Sequence, residues 1–531
     1  MSKLSFKYWS RRDFLAFVSA SGTLPLLTSC LDANSEFGGL SNIEIQELKG
    51  VIRKDEVSLS PGLDYHVVIK EGDSLGENLH FGTNNDYLNF YTFKDGKTAL
   101  WCNHENVYPL LVHNRKMNKA PDKTQLRFER EQVGGSFVEV TKNGKGKWSY
   151  VKDSNLNFRL SGNTLITLSE KIAGKSTALG TLANCSGGYT PWGTILTCEE
   201  NYQHFYGERE NGKIKLSKNY DLKWMEVEPQ PTEHYGWVVE VNPINKTAEK
   251  LVSLGRFSHE CATVATNNEG YPVVYSGDDC ENECLYKFVS TNKSSLKEGT
   301  LYVANLEKGE WLSLDYKKSE ILQKNFKNQT DVLINCRQAS KILGATPLDR
   351  PEDIEQDPIN GDIFVTLTNN KSKGNYHGSI IKISEKNKSD LTFKHSLFRA
   401  GGTEAGFSCP DNMAFDQNGN FWMTSDISGG KIGKAPYESF GNNGLFVIPR
   451  FGSQAGQILK VASAPIDAEF TGPFFSTDQK TLFLSVQHPG EKTTDLSKMT
   501  SHWPSGDKTQ KPLSSVIAIQ GSLLDSLTKK A

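Results

Sequence analysis

The sequence is poor in methionine and carries almost no net charge. It contains 6 methionines against 27 phenylalanines and 18 tyrosines, a balance that favours a β-rich core over a helical one. Its 60 lysines and arginines are matched by 62 aspartates and glutamates, which gives a formal net charge of −2. A nucleic-acid partner is therefore not expected, because neutralising phosphates takes a concentrated basic surface. Intrinsic disorder is not expected either, since it requires high net charge and few aromatic residues.

Several familiar motifs are also missing. The 531 residues contain no phosphate-binding loop, no dinucleotide-binding fingerprint and no serine-nucleophile elbow. Nine cysteines are too few for a disulfide scaffold in a chain of this length. We interpret Cys280 and Cys284 as a disulfide or as inert thiols, not as a zinc site. No segment beyond the N-terminus has the roughly twenty apolar residues that span a bilayer, so the remainder is expected to be soluble.

The N-terminus has the features of an export signal. Two adjacent arginines, Arg11 and Arg12, precede a short apolar stretch, as in a twin-arginine signal; an ordinary secretory signal is the alternative. The tetrapeptide that starts at Leu27 resembles a lipobox, which predicts lipidation of Cys30 unless this cysteine is incidental. We expect a signal over residues 1–29 and an exported lipoprotein, periplasmic or at the cell surface, anchored to a bacterial membrane such as the outer membrane.

One pattern occurs six times along the chain: a turn, a short β-run, and a polar or acidic tail. Five of the six turns contain glycine, which supplies the positive φ that tight hairpins need. Repeats of this kind indicate a radial all-β architecture, and six copies predict a six-bladed β-propeller with insertions. The β-runs are predicted to begin at residues 98, 194, 272, 362, 420 and 481.

The same reading divides the chain into three parts. After the export signal, residues 30–75 are expected to form a tether and the first strands. Residues 76–531 are expected to form the propeller, with an insertion near residues 107–150. The segment Ser515–Ile519 has the pattern of a late strand that could close the ring.

The repeat also predicts where the polar residues meet. In an antiparallel hairpin, the start of the first strand lies beside the end of the second strand. Polar residues occur at both positions, so we expect them to gather around the axis on one face of the ring. Gly472 and Pro473 are expected opposite Gln487 and His488. The candidates for this gathering are Cys185, Glu199, Glu200, Glu260, Asp278, Asp279, Glu352, Asp411, Asn369, Asn370, Asp426, Gln487 and His488.

Such a concentration of carboxylates predicts bound cations, because like charges repel and burial adds to the cost. Carboxylates suit calcium and the Cys185 thiolate suits a transition metal, so we expect a mixed-metal site; for a single acid, capping of a turn is the alternative. Arg256 and Arg350 lie near these acids in the sequence, and a guanidinium suits a tetrahedral oxyanion, although pairing with the acids is equally open. His259 and His488 are interpreted as ligands, proton carriers or supporting residues.

Several of these segments resemble the PhoX-type alkaline phosphatases. The resemblance covers about residues 80–495 and follows the order of that family throughout. The segment that runs from Cys185 to Glu200 and the segment Arg350-Pro351-Glu352-Asp353 are its most specific parts. The other matching segments are residues 255–260, 275–279, 285–288, 367–370, 410–412 and 486–491.

The resemblance implies an exported, six-bladed propeller that hydrolyses phosphomonoesters at a centre of ferric ions (Fe3+) and calcium ions (Ca2+). Small phosphomonoesters are then the expected partners, and a monomer is the expected state. The sequence departs from the family at Cys280 and Cys284 and in the insertion, which leaves the shape of the substrate pocket open. Carried over residue by residue, Cys185 and Glu260 would bind iron, Glu199, Glu200 and Glu352 would bind calcium or bridge metals, and Arg350 would contact phosphate.

Two other classes of propeller stay open. One is a calcium-dependent hydrolase of the lactonase or phytase-like kind, although a calcium-only site has no use for the thiolate of Cys185. The other is a non-catalytic surface-binding propeller whose ions are purely structural.

Overall fold

The computed structural model describes residues 44–210, 212–217 and 222–529. The predicted export signal and the lipidation site at Cys30 lie outside the described residues and stay predictions. Within the described part of the chain, no helix is long and apolar enough to cross a membrane.

Six β-sheets of four to six strands each make up the blades of a propeller, which confirms the predicted fold. The first strand of each sheet contacts the first strand of the next, and the sixth contacts the first, which closes the ring. Four further strands precede blade one in the sequence. They are β1 (Ser58–Leu59), β2 (Asp64–Lys70), β3 (Ser74–Gly76) and β4 (Leu79–His80).

Blade two differs from the others because its outer part comes from earlier in the chain than its inner part. Its outermost two strands precede the rest in sequence, and one of them joins the sheet in parallel. The strands of blade one are β5 (Asn85–Thr92), β6 (Thr98–His104), β7 (Gly134–Lys142), β8 (Trp148–Tyr150) and β9 (Phe158–Leu160). Those of blade two are β10 (Leu165–Ile172), β11 (Lys175–Leu179), β12 (Asn184–Tyr189), β13 (Ile195–Glu199), β16 (Val238–Asn242) and β17 (Thr247–Leu251), and a separate ribbon comprises β14 (Glu208–Glu210) and β15 (Lys213–Lys215).

Blades three to six follow in chain order, each with simple antiparallel neighbours. Blade three comprises β18 (Thr263–Thr266), β19 (Pro272–Gly277), β20 (Leu285–Ser290), β21 (Gly299–Asn305) and β22 (Glu310–Ser313). Blade four comprises β23 (Pro351–Gln356), β24 (Ile363–Leu367), β25 (Ser379–Ser384) and β26 (Lys394–Ala400). Blade five comprises β27 (Pro410–Phe415), β28 (Phe421–Ser425), β29 (Gly444–Ile448) and β30 (Leu459–Ser463). Blade six comprises β31 (Glu469–Phe475), β32 (Leu482–Gln487) and β33 (Ser515–Gln520).

The described helices are short and lie mainly in segments inserted between strands. Two occupy residues 105–133 of blade one, an insertion that ends earlier than predicted because residues 134–150 contain β7 and β8. Three more lie between blades three and four. The helices are α1 (Pro109–His113), α2 (Lys123–Gln132), α3 (Gln203–Tyr206), α4 (Trp224–Val227), α5 (Glu320–Asn325), α6 (Gln329–Ile334), α7 (Cys336–Leu343) and α8 (Ser522–Thr528).

The six β-runs predicted from the repeat are the second strands of the six blades. They are β6, β13, β19, β24, β28 and β32. Strands β13, β19, β24, β28 and β32 are buried along their whole length, because each is covered on both faces by the neighbouring blades. Burial on both faces explains why these runs are continuously apolar rather than alternating.

Strands from both ends of the described chain complete the ring. The predicted late strand is β33, which pairs with β32 on one side and with β2 on the other. Strand β1 pairs with β30 of blade five. The described propeller sheets therefore begin at residue 58, ahead of the boundary expected at residue 76.

Candidate metal centre

Each blade brings the start of its first strand beside the end of its second strand, as the repeat predicts. Blade two pairs Asn184 with Glu199. In blade six, Glu469 lies opposite Gln487, whereas Gly472 and Pro473, which we expected there, fall in a β-bulge further along β31. The remaining pairs are Asn85 with His104, His259 with Asp278, Pro351 with Leu367, and Pro410 with Ser425.

A β-bulge follows closely on these paired positions in five of the six first strands. A bulge inserts an extra residue and redirects the side chains beside it. In blades one to five, the residue after a paired position supplies an acid or a thiol, and in blade six Glu469 itself does so. Together they form what we call the acidic cluster: Asp86, Glu105, Cys185, Glu200, Glu260, Asp279, Glu352, Asp411, Asp426 and Glu469.

Five members of the acidic cluster converge closely enough to share metal ions. The ligand atoms of Cys185, Glu200 and Glu260 lie within 4.8 Å of one another, and so do those of Glu260, Asp279 and Glu352. Glu260 belongs to both groups. One group therefore contains a thiol and suits a transition metal, whereas the other consists of carboxylates and suits a hard cation such as calcium.

The electrostatics of the cluster favour cations. Burial, followed by the nearby Glu352 and Glu200, raises the pKa of Glu260 well above its usual value. Burial and the neighbouring Asp86 likewise raise the pKa of the Cys185 thiol. Burial also acts to raise the pKa of Asp279, but the Arg350 guanidinium outweighs it and the pKa is lowered. Without added positive charge, most of these groups would have to keep their protons.

Unpartnered oxygen atoms support the same conclusion. Among the described residues, Asp86 Oδ1, Glu260 Oε2, Glu469 Oε2 and Gln487 Oε1 are buried and have no hydrogen-bond partner. A buried polar atom without a partner is costly, and a bound cation removes that cost for an acceptor oxygen. The residues of the cluster therefore fit metal ions.

The two acids of Glu199-Glu200, and likewise those of Asp278-Asp279, have different surroundings. Glu199 precedes Glu200 but accepts Lys250 Nζ at 2.6 Å and the backbone N–H groups of residues 182, 236 and 237. Asp278 precedes Asp279 but forms a two-pronged ion pair with Arg337. This separation arises because successive residues of a strand point to opposite sides. Glu199 and Asp278 thus have cationic partners of their own and lie outside the two groups of converging ligand atoms.

The pair between Lys250 and Glu199 is fully buried and gives a first prediction. Lys250→Met should lower the free energy of unfolding by about 3–5 kcal/mol, because it leaves a carboxylate buried without its cation. The metal content of the folded fraction should stay unchanged. Thermal unfolding and metal analysis of the same samples measure both quantities.

An exposed pair provides the control for this prediction. Lys297 pairs with Glu249 at 2.6 Å with about half of the lysine side chain exposed, so Lys297→Met should cost only about 0–1 kcal/mol. A Lys250→Met protein with normal stability but less calcium would instead identify Glu199 as a metal ligand.

The two predicted arginines have different surroundings. Arg350 Nε and Nη2 each donate to a carboxylate oxygen of Asp279 at 2.8 Å, and Nη2 lies 2.7 Å from Glu352 Oε1. Its side chain is 24% exposed, so the guanidinium is held at the cluster yet open to a ligand. Its backbone is left-handed, with φ of 55°, which few non-glycine residues adopt.

Arg256, expected as a catalytic residue, is committed to other contacts. It donates to the carbonyl oxygens of Tyr235 and Thr232 and to Glu208, and its guanidinium lies over the ring of Tyr202. It borders a separate cavity of about 760 Å³ whose described lining includes none of the five converging residues. These contacts link Tyr202 and Glu208 to Thr232 and Tyr235.

The two predicted histidines are hydrogen-bonded on both ring nitrogens. His259 lies between Ser276 Oγ and the carbonyl oxygen of Gly255, and burial lowers its pKa to about 3. Both ring nitrogens therefore already have partners within the protein. His488 contacts the carbonyl oxygen of Asp467 and, at 2.9 Å, Glu469 Oε1, which places it directly behind the acidic cluster.

Of the two predicted amides, Gln487 contacts the acidic cluster and Asn370 does not. Gln487 Nε2 donates to Glu105 Oε2 at 2.7 Å and so touches the cluster. Asn370 instead donates to Asn282 and Asp349 and caps the turn that follows it. It is buried, and none of these side-chain contacts is with a member of the acidic cluster.

Sequence reasoning missed Asp86, Glu105 and Glu469 as members of the cluster, whereas Asp426 was among the residues expected to gather there. Asp86 could have been found, because it begins the first hairpin in the same way that Cys185 begins the second. Glu105 and Asp426 lie in the polar tails of the first and fifth repeats. Glu469 precedes its bulge and carried no comparable signal.

Cys280 and Cys284 are both free thiols, so the disulfide interpretation is wrong. Burial raises the pKa of Cys280 to about 11, and its sulfur accepts a hydrogen bond from Arg337. The Cys280 thiol thus contacts the arginine that pairs with Asp278, and both thiols lie outside the converging ligand groups.

Comparisons with known proteins agree with this geometry. The family model described as alkaline phosphatase PhoX matches residues 46–490. The solved structure of Pseudomonas fluorescens PhoX in complex with vanadate, a transition-state analogue, has 28% sequence identity to this chain; the match covers 90% of this chain and 98% of that one, with a TM-score of 0.80. A protein of unknown function from Dyadobacter fermentans has 9% identity, covers 87% and 100% of the two chains and has a TM-score of 0.43. No curated protein matches the sequence significantly.

Proposed function

The chain belongs to the PhoX family of alkaline phosphatases, and from this premise we propose that its acidic cluster holds an iron–calcium centre for the hydrolysis of phosphomonoesters. The protein is a phosphatase, and its family consists of metal-dependent enzymes that are typically exported. Small phosphoesters are therefore its substrates. The identity of the ions, the residues that bind them and the preference for monoesters are the parts that we propose.

The two groups that share Glu260 carry this proposal. The thiol in the first group supports iron at Cys185, Glu200 and Glu260, since thiolates bind transition metals and are poor calcium ligands. The second group has only carboxylates, which supports calcium at Glu260, Asp279 and Glu352. We place Asp411 beside these groups as a further ligand.

When bound, the ions would polarise the phosphoryl oxygens and neutralise the charge of the transition state. Arg350 would bind the phosphoryl group from the same side. Its contacts with Asp279 and Glu352 fix the guanidinium before substrate arrives, and Nη1 takes no part in those contacts. A donor fixed in advance stabilises developing charge without reorganising, so Arg350 would strengthen its hold on the equatorial oxygens as the reaction proceeds.

The cellular setting of the enzyme is likewise a proposal. We place it outside the cytoplasm, exported through the signal in residues 1–29, tethered by the segment between Cys30 and β1, and anchored to a membrane through lipidated Cys30. We propose that it acts as a monomer, because all of the converging ligand groups come from one chain.

Metal analysis combined with an activity assay tests the proposed function. Purified protein should contain both iron and calcium and should hydrolyse a chromogenic phosphomonoester. Removal of calcium with a chelator should abolish turnover, and added calcium should restore it while iron stays bound. Calcium without iron, together with turnover of a lactone or phytate, would favour another calcium-dependent hydrolase; calcium without any turnover would favour a binding module.

A further inference from the structure

Asn412 lies at the base of the acidic cluster, and its orientation is fixed. Its side-chain oxygen accepts the backbone N–H of Gly472 at 2.7 Å. A backbone N–H can only donate, so the atom facing it must be Oδ1 and the amino group must point the other way. That amino group lies 3.1 Å from Asp411 Oδ1 and 3.5 Å from Glu260 Oε1.

Asn412 owes this position to the bulge in β27. The pairing of β27 with β28 shifts register between Pro410 and Met413, and Asp411 and Asn412 are the two residues in between. Both are therefore redirected by the bulge, and both are buried. The backbone N–H of Asn412 is held in turn by Thr424 Oγ1 at 3.1 Å. Blades five and six thus fix the amide from two sides.

Asn412 also borders a cavity on the propeller axis. Its amino group contacts Asp411 and Glu260, and the residue contributes to the wall of a cavity of about 240 Å³ that is lined by the first strands of the six blades. The lining of that cavity includes Tyr87, Glu355 and Phe474 but none of the converging ligand residues. Asn412 therefore forms part of the floor of the metal centre.

A neutral donor suits this place better than a cation does. A carboxylate next to a metal site needs a hydrogen bond that fixes its rotamer, yet an added positive charge there would oppose cation binding. Arg350 already supplies one guanidinium to Asp279 and Glu352. The amide of Asn412 orients Asp411 and Glu260 without adding charge.

We infer that Asn412 is a positioning residue, whose amino group holds Asp411 and Glu260 in the orientation that binds metal. This inference rests on the proposed iron–calcium function. Glu260 belongs to both groups of converging ligand atoms, so a change in its orientation affects both kinds of ion.

The test compares Asn412→Ala with Asn420→Ala. Asn420 is a close match, because it is buried in the same hairpin, accepts the backbone N–H of Arg450 at 2.9 Å and donates to an aspartate, Asp416, at 2.8 Å. It lies at the turn end of that hairpin, away from the cluster. After removal of bound metal, calcium alone is titrated into each protein by calorimetry, and iron in the untreated proteins is quantified.

Asn412→Ala should weaken calcium binding about 10–100-fold and reduce iron retention, as the loss of a supporting hydrogen bond does at other metal sites. At saturating calcium, kcat should remain below that of the unaltered protein. KM should change little, because the substrate-binding Arg350 is untouched. Asn420→Ala should bind both metals like the unaltered protein even where its thermal stability falls.

Asn412→Asp keeps the acceptor for Gly472 and the shape of the side chain, and its carboxylate, ionised beside the bound cations, cannot donate to Asp411. It should fold and still show a low kcat, whereas a purely structural role for Asn412 would allow it normal turnover. Normal calcium affinity and kcat in Asn412→Asp would overturn the inference, including in the case where Asn412→Ala fails to fold. An unaltered protein that holds no iron or calcium would instead refute the proposed function itself.

Discussion

Replacing Cys185 with serine is expected to remove iron from the protein and to lower kcat/KM at least about 100-fold. Loss of a residue that only supports a ligand already costs about 10–100-fold in metal affinity or activity, and Cys185 is placed as a ligand itself. The serine hydroxyl cannot replace the thiolate, because it stays protonated at neutral pH and is a harder donor. Calcium should be retained better than iron, since the group of Glu260, Asp279 and Glu352 is left intact.

Iron and calcium content per folded protein and steady-state kinetics with a chromogenic phosphomonoester measure this effect. Cys280→Ser is the matched control, because Cys280 is half-buried like Cys185 but lies outside both groups of converging ligand atoms. It should keep its iron and most of its activity. Full activity in Cys185→Ser would rule out an iron ligand at this position.

Replacing Arg350 with alanine should lower kcat by about 10²–10³-fold, the usual cost of removing one fixed donor to a developing anion. The loss should appear in kcat more than in KM, since the donor acts most strongly on transition-state charge. Arg350→Lys should recover little, because an ammonium cannot reproduce the two parallel bonds from Nε and Nη2 to Asp279.

Vanadate affinity gives a second measurement for Arg350. An arginine that contacts the phosphoryl group predicts weaker inhibition by vanadate in Arg350→Ala. Arg337→Ala is the control: Arg337 forms the equivalent two-pronged pair with Asp278, one residue before Asp279. It should lose stability while its folded fraction keeps its vanadate affinity. Equal losses of vanadate affinity in both variants would show that Arg350 acts only through the packing of the turn.

The fold and the place of the site could be read from the sequence to a large extent. The repeat identified the second strand of every blade, because those strands are buried on both faces and follow recognisable turns. The hairpin argument then brought Cys185, Glu200, Glu260 and Glu352 to one place, since antiparallel pairing depends only on the order of residues along the chain. The charge balance gave no hint of this, because the acids are concentrated only in three dimensions.

The roles of individual residues needed the tertiary structure. Glu199 and Glu200 look equivalent in the sequence, and so do Asp278 and Asp279. Their separation depends on Lys250 and Arg337, which reach them from distant parts of the chain.

The bulges are a second feature that the sequence did not reveal. They follow the first pair in four of the five affected strands and redirect residues such as Asp411 and Asn412. A bulge depends on the register between two strands, and register is set by packing against the neighbouring blades.

The sequence by itself therefore determined the six-bladed ring and the face on which its acids gather, because repeats, turns and antiparallel order are local or follow chain order. Only the tertiary structure decided which acid of each pair joins the cluster, that Arg256 and His259 are committed to other hydrogen bonds, and that the amide of Asn412 contacts Asp411 and Glu260. Those outcomes depend on the direction of single side chains and on partners far away in the chain, and neither is encoded in spacing along the sequence.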